Sequence, residues 1–466
     1  MERNKYLAKN TFLLFLGTFG TKFISFFMVP IYTSVLSQEQ YGTIDIAFTI
    51  SMMLTPIIAL NIHEAIMRFA MDKDADQQQV ITAGFVVLFI GMLLFSSSIP
   101  IIRGIDGIKD YAALIYCMVW STALLYNVQA VLKGTDQVHL YALCGVVITF
   151  LTSSLNTIFL VLFKMGITGY LLSTILAYVI SAVGFAIWGK VHRYINLRTF
   201  SIVELRKMLT YSIALVPNSI LWWIINSSNR LIISGSLGVA ANGIFAVSNK
   251  LPTLMNNLTT VFQQAWQLTA IKSDDLVDKD EYASNVFSVY TGFLMCCGAG
   301  MIWLIKTVMK YYVEQSYFIA WKYTPLLVVA FILLALGSYV GTYYSVSKNS
   351  KGMLFSAIAG MLVNIVANFL LIPQIGLQGA SIAACLSYAT ILIYRTIDTR
   401  RYIRLRVFSG RFLISISILL VETIILLVEA PFDLILNLLC VCAMFLLYRD
   451  YLSMICRTVL RKVFRR

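Results

Sequence analysis

The residues of this chain that could do chemistry are few, and their spacing is regular. In "NKLPTLMNNLTTVFQQAWQ" (249–267), Asn249, Thr253, Asn256, Thr260, Gln263 and Gln267 recur at steps of four and three. On a helix those steps put all six on one face. Lys250, Asn257 and Gln264 form a second row beside it. Amides and hydroxyls offer hydrogen bonds without fixed charge, so the stripe suits holding a hydrophilic molecule. Three cations stand in otherwise apolar runs: Lys22, Lys250 and Arg230. A cation there needs water or an anionic partner, and phosphate is a strong one through charge-assisted hydrogen bonds.

Acids come next. "NIHEAIMRF" (61–69) carries His63, Glu64 and Arg68, and Asp45 stands upstream. Glu64 and Arg68 are four apart, which predicts a helical ion pair. The sharper alternative makes His63, Glu64 or Asp45 an ion-coupling group. Glu422, in a later apolar run, is expected to pair with something nearby. His63, His139 and His192 lack ligand spacing, so no metal site is expected. The eight cysteines show neither disulfide nor zinc spacing and read as core residues. No phosphate-binding glycine loop is present, and no cofactor is expected.

The elements that must hold these residues follow from composition. Hydrophobic residues make up 59% of the chain and charged residues 12%, against about 25% charged in soluble domains. Apolar stretches of about 20 residues recur from end to end, long enough to cross roughly 30 Å of hydrocarbon as helices. Fourteen spans are expected, at 10–36, 41–69, 80–103, 110–132, 138–163, 167–190, 208–235, 240–268, 282–309, 318–346, 352–373, 377–397, 409–428 and 431–453. The first is too long for the apolar part of a cleavable signal. The chain therefore reads as an all-α polytopic membrane protein.

Lys and Arg set the orientation. With a cytoplasmic amino terminus, 27 of the 36 fall on the inner side, including "KVHRYINLRTFSIVELRK" (190–207) and "RTIDTRRYIRLRVFSGR" (395–411). Seven fall outside. Both termini are expected to be cytoplasmic, in the cytoplasmic (inner) membrane. This sorting accounts for the net charge of +14, so no nucleic-acid partner is expected. The basic tail "RDYLSMICRTVLRKVFRR" (449–466) is expected to lie on anionic lipids.

An internal repeat organises the spans. "TSVLSQEQYGTIDIA" (33–47) and "SGSLGVAANGIFAVS" (234–248) align Leu36 with Leu237 and Gly42 with Gly243, an offset of 201. "KMGITGYLLSTILAY" (164–178) matches "QIGLQGASIAACLSY" (374–388), setting Gly166, Gly169 and Tyr178 on Gly376, Gly379 and Tyr388. Both matches are six spans apart, and an even shift keeps orientation, giving parallel repeats. The expected units are an N-terminal lobe (1–207), a C-terminal lobe (208–407), and an appended helix pair with the tail (408–466).

The segments "MVPIYTSVLSQEQYGTIDIAFTI" (28–50), "AIMRFAMD" (65–72), "NRLIISGSLGVAANGIFAVSNKL" (229–251) and "LIPQIGLQGASIAACLSYA" (371–389) resemble the polysaccharide-transport branch of the multidrug/oligosaccharidyl-lipid/polysaccharide exporter superfamily. The resemblance runs from about residue 8 to residue 400. It implies two six-helix lobes forming a V around a central cavity, and outward movement of undecaprenyl-diphosphate-linked sugars by alternating access. On that reading the 249–267 stripe lines the cavity. The related lipid II flippase carries cavity cations on its first, second and eighth helices; Lys22 and Lys250 fall on two of those helices, and no cation sits mid-span in the second, so the carry-over is partial. The substrate would be a lipid-linked oligosaccharide, and a polysaccharide polymerase or other assembly proteins would be partners. The alternatives are a lipid II-type flippase, a multidrug antiporter of the same superfamily, and a membrane polymerase or ligase. The last would need a sizeable outer loop bearing catalytic Arg or His, and no outer connection exceeds about ten residues.

Overall fold

The computed structural model describes residues 21, 24–72, 76–96, 99, 103–104, 108–272, 278–347 and 350–451. Lys22 and the tail from 452 onward lie outside the described residues. Every regular element described is helical, because backbone in hydrocarbon can bond only to itself. The chain divides into two compact units, Met1–Gly243 and Ile244–Arg466.

The first unit contains α1 (Ile24–Val35), α2 (Gln38–Ile58), α3 (Ile62–Ala70), α4 (Gln77–Ser96), α5 (Ala112–Gly134), α6 (Val138–Thr157), α7 (Gly166–Trp188) and α8 (Ile202–Leu237). Helix α9 (Val239–Ser248) begins at its end. The second unit contains α10 (Lys250–Lys272), α11 (Lys279–Tyr312), α12 (Thr324–Val346), α13 (Ser350–Ile375), α14 (Leu377–Asp398), α15 (Gly410–Leu427) and α16 (Asp433–Leu447). The described part of each of the fourteen expected spans falls on one of these helices or on a pair of them. Ten described helices have the length and apolar content to cross a membrane, and α1, α9 and α16 are shorter apolar helices. The protein is a multi-pass, all-α membrane protein.

Two expected spans are broken. The stretch 41–69 is α2 followed by α3, with Leu60 and Asn61 in left-handed backbone (φ 49° and 51°) between them. Pro56, in the last turn of α2, removes a helical hydrogen bond and crowds the carbonyl four residues back. Asparagine tolerates the left-handed region because its side chain bonds locally. Here Asn61 Nδ2 donates to Ser219 Oγ of α8 at 2.8 Å, which ties the break in place. The stretch 240–268 divides at Asn249 into α9 and α10. Pro252 falls in the first turn of α10, where an N–H has no helical partner to lose.

Each unit has its own core. In the first, Ile62 and Ile66 of α3, Ile81 of α4, Val131 and Leu132 of α5 and Ala182 of α7 are buried together. In the second, α12 is central. The buried Tyr339 ring stacks on Trp266 at 4.6 Å and its hydroxyl donates to the Ala283 carbonyl at 2.9 Å. Arg395 of α14 is buried and spans three helices, donating to Ser356 Oγ of α13 and to the Gly337 carbonyl of α12, both at 3.0 Å. The α15–α16 hairpin packs on α11, where Trp303 Nε1 donates to the Leu434 carbonyl at 3.0 Å.

The repeat read from sequence is written into the backbone. Gly166 and Gly376, matched by the 210 offset, both take positive φ (56° and 62°) at the turn into α7 and α14. Gly42 and Gly243, matched by the 201 offset, touch each other. A Cβ on Gly42 would run into the Val239 carbonyl oxygen, and one on Gly243 into the Gln38 carbonyl oxygen. The same offset carries Gln38 onto Val239, so the contact is related to itself by the repeat.

Candidate functional site

Helix α10 has two faces. Leu251, Met255, Thr259, Trp266 and Ala270 are buried, and Phe262, in register with them, stacks on Tyr290 at 4.1 Å. Such stacked pairs contribute about 0.5–1.5 kcal/mol beyond burial. This aromatic face fixes the helix against α11 and α12. One residue further round lies the polar stripe. Thr260 and Gln267 are exposed, and Asn249, Lys250, Thr253, Asn256 and Asn257 are half-buried. Of the 23 residues of α10, 11 are polar or charged.

The stripe's hydroxyls are partly self-contained. Thr253 Oγ1 donates to the Asn249 carbonyl at 2.7 Å, and Thr260 Oγ1 to the Asn256 carbonyl at 2.8 Å. Asn249 Nδ2 donates to the Phe245 carbonyl at 2.8 Å. Gln263 does not face outward, because it sits at the border between faces. Its Nε2 donates to the Ala335 carbonyl of α12 at 3.3 Å, so it serves packing. The amides of Asn256 and Asn257 make no side-chain hydrogen bond among the described residues. The side chain of Gln264 lies outside the described set.

In the first unit the structure joins two residues that the sequence left separate. Arg230 Nε lies 3.3 Å from Asp45 Oδ2, and Arg230 Nη1 reaches Thr49 Oγ1 at 3.3 Å. Asn242 Nδ2 donates to the same Asp45 oxygen at 3.2 Å. Trp223 Nε1 donates to the Thr49 carbonyl at 2.7 Å. Asp45 and Arg230 thus form one network between α2 and α8, beside the Gly42–Gly243 contact.

The expected Glu64–Arg68 pair is absent. Arg68 pairs with Asp72, four residues on and past the end of α3. Glu64 turns back to His63, with Oε1 3.6 Å from Nε2. The helix interruption at 59–61 starts a new helix at Ile62, which places Glu64 in its first turn. The His63 ring also lies 5.4 Å from that of Tyr126. Glu422 departs furthest from expectation. It is fully buried, and neither carboxyl oxygen has a hydrogen-bond partner among the described residues. Lys22 lies outside the described residues, so the pairing of Lys22 with Lys250 stays an expectation of sequence.

Comparison with known proteins fits this architecture. A family model described as polysaccharide biosynthesis protein matches residues 7–267, more than half of the 466 residues. The chain belongs to that family. It is similar to an uncharacterized membrane protein of Methanocaldococcus jannaschii, with 22% identity over 425 residues, covering 83% of this chain and 96% of the other. The fold is similar to that of lipid II flippase MurJ in an inward closed conformation, at a TM-score of 0.68 and 12% identity, covering 96% of this chain and all of that one. It is also similar to an inward-facing multidrug resistance MATE family transporter of the MOP superfamily, at 0.67 and 15%, covering 86% and 96%. A MOP superfamily transporter from Pyrococcus furiosus matches at 0.58 and 17%, covering 84% and 94%. The superfamily resemblance read from the sequence thus meets both a family match and a shared fold.

Proposed function

We propose that this protein is a flippase carrying undecaprenyl-diphosphate-linked oligosaccharide units from the inner to the outer leaflet of the cytoplasmic membrane by alternating access, for surface polysaccharide synthesis. The observation that carries this reading is the two-faced α10, a spanning-length helix with an anchored aromatic face and an outward row of amides and hydroxyls. A lipid-facing helix has no use for such a row. Sugar hydroxyls exchange hydrogen bonds with neutral amides at little desolvation cost, so a large headgroup is held by many weak contacts and released again. Lys22 and Lys250 serve the diphosphate, whose charge is otherwise costly to carry across the midplane. His63, Glu64 and Asp45 remain the first-unit groups proposed for ion coupling. The basic tail rests on anionic lipids, and a polymerase takes up the delivered units.

The test is complementation. Expressed in a strain lacking its polysaccharide flippase, the protein restores surface polysaccharide when the host's lipid-linked unit fits. Rescue of a strain lacking its peptidoglycan-precursor flippase, with no rescue of polysaccharide strains, assigns the chain to that substrate class and overturns the proposal.

A further inference from the structure

Glu422 is an acid without an explanation in the stripe or in the Asp45 network. It lies in α15, fully buried, with both carboxyl oxygens unpartnered among the described residues. Asn437 of α16 is equally buried, and both of its amide atoms are unpartnered. Buried polar side chains are nearly always bonded, to protein or to water, and among the buried orphans described Glu422 is the one that can carry a charge. Glu422 and Asn437 sit on the buried sides of the two hairpin helices. On α15 the buried positions include Ser415, Leu419, Glu422 and Leu426, and on α16 Asn437, Val441 and Met444, all at helical steps of three and four. Cys440 lies one turn along α16 from Asn437.

A cavity leads toward this pair from the α15–α16 turn. It measures about 410 Å³ and is lined by Lys306, Lys310, Asp433, Leu426 and Asn437, among others. Asn437 lies behind the wall of this cavity, closed off from it in this structure, and Leu426 is one helical turn from Glu422. Of the cavity's charges, Lys306 and Asp433 pair with each other, and the neighbouring Glu429 and Lys322 join them. Lys306 lies 3.5 Å from Asp433 and 3.9 Å from Glu429, and Lys322 lies 3.1 Å from Glu429. On the elements packed against α15, Lys279, Asp280 and Glu281 stand at the start of α11, the end that lies beside Arg411, and the remaining titratable groups are thiols and phenols. Cys296 and Cys297 stand on α11 and Cys440 on α16, with Tyr448 following α16. Tyr339, Tyr343 and Tyr344 lie toward the far end of α12. Arg411, at the opposite end of α15, pairs with Asp450. No described cation is committed to Glu422.

We infer that Glu422 is a proton-binding site, loaded from water in the cavity at the α15–α16 turn, and that its protonation is linked to the transport cycle. A carboxylate with neither a donor nor a cation does not persist in an apolar interior, so the buried arrangement holds the proton. Release requires water to reach past Asn437, which gives the hairpin two states, protonated and dry or ionised and hydrated. A hard cation such as sodium needs more oxygen ligands than one carboxylate and one amide provide. The link to transport rests on the flippase reading; the binding of the proton does not.

The experiment uses the purified full-length protein in lipid vesicles and reads the C=O stretch of protonated carboxylic acids by infrared difference spectroscopy between acid and alkaline buffer. The expected result is a band that grows on acidification, is lost in Glu422→Gln, and persists at a shifted frequency in Glu422→Asp. Asp76→Asn, which removes an exposed acid, leaves it intact. A wild-type band in Glu422→Gln, or a Glu422 band that ignores pH, overturns the assignment. Loss of the band on adding sodium at fixed pH gives the site to sodium and also overturns it. If Glu422→Gln does not fold, the shifted band of Glu422→Asp decides. In the complemented strain, Glu422→Gln abolishes the response of polysaccharide export to external pH. An unchanged response overturns the link to transport, whereas no export by the wild type at any pH overturns the flippase reading and leaves the infrared result standing.

Discussion

At the residue scale, neighbouring positions on α10 have opposite surroundings, and this can be read with a thiol reagent. In a cysteine-free background, Asn256→Cys and Thr260→Cys react with a hydrophilic reagent, whereas Met255→Cys and Thr259→Cys resist it. Equal protection of all four means a fully packed helix and sinks the substrate path. The two lysines are tested through export. Lys22→Gln with Lys250→Gln removes the charge proposed to meet the diphosphate and lowers surface polysaccharide at least about tenfold, the equivalent of 1.4 kcal/mol. Arginine at both positions restores part of it, since the need is for charge. Full export by the glutamine pair at normal abundance refutes the phosphate role. Much of this face was legible in the sequence, because a three–four spacing of amides survives any error in helix boundaries. Gln263 was not, because its bond to Ala335 depends on how α10 rotates against α12. Glu422 was misjudged for a related reason. Sequence shows an acid in an apolar run, and only the structure shows that no described residue bonds it.

At the element scale, the contact between α2 and the start of α9 allows no side chain. Gly42→Ala or Gly243→Ala drives a methyl into a backbone carbonyl, and overpacking of this kind costs about 1–3 kcal/mol. Gly145 and Gly184 have open space at the same atom, so alanine there is neutral or stabilising by up to about 1 kcal/mol, as for any helical glycine. Thermal unfolding of the four variants in detergent checks this, and equal melting points would remove the close approach. The Asp45–Arg230 pair is measured by a double-mutant cycle with Asp45→Asn and Arg230→Gln. Coupling of about 0.5–3 kcal/mol is expected for residues in one network, and additive effects would dissolve it. That pairing could not be foreseen, since Asp45 and Arg230 come from different repeats and no local spacing links them. The break at Leu60–Asn61 was also hidden, because apolar periodicity runs through Pro56 without interruption.

At the scale of the whole molecule, hydropathy was enough to mark the apolar helices, since it accumulates over hundreds of residues. A reporter fused after Arg466, and another inserted at Leu197, should both report the cytoplasm; a periplasmic signal from either breaks the orientation. The repeat carries more than ancestry. Helix α8 opens the second repeat, yet by its contacts it belongs with the first compact unit, and the glycine from the second repeat seats against the one from the first. The membrane insertion machinery therefore cannot finish the first unit when the sixth span leaves it. The unit waits for the 36 residues of α8 and the turn beyond, roughly 2–7 s at bacterial and eukaryotic synthesis rates of about 5–20 residues per second. During that interval the α2 face around Gly42 and Asp45 is open to lipid and chaperone, and a ribosome stalled between residues 207 and 243 would release a half-built bundle for quality control to find.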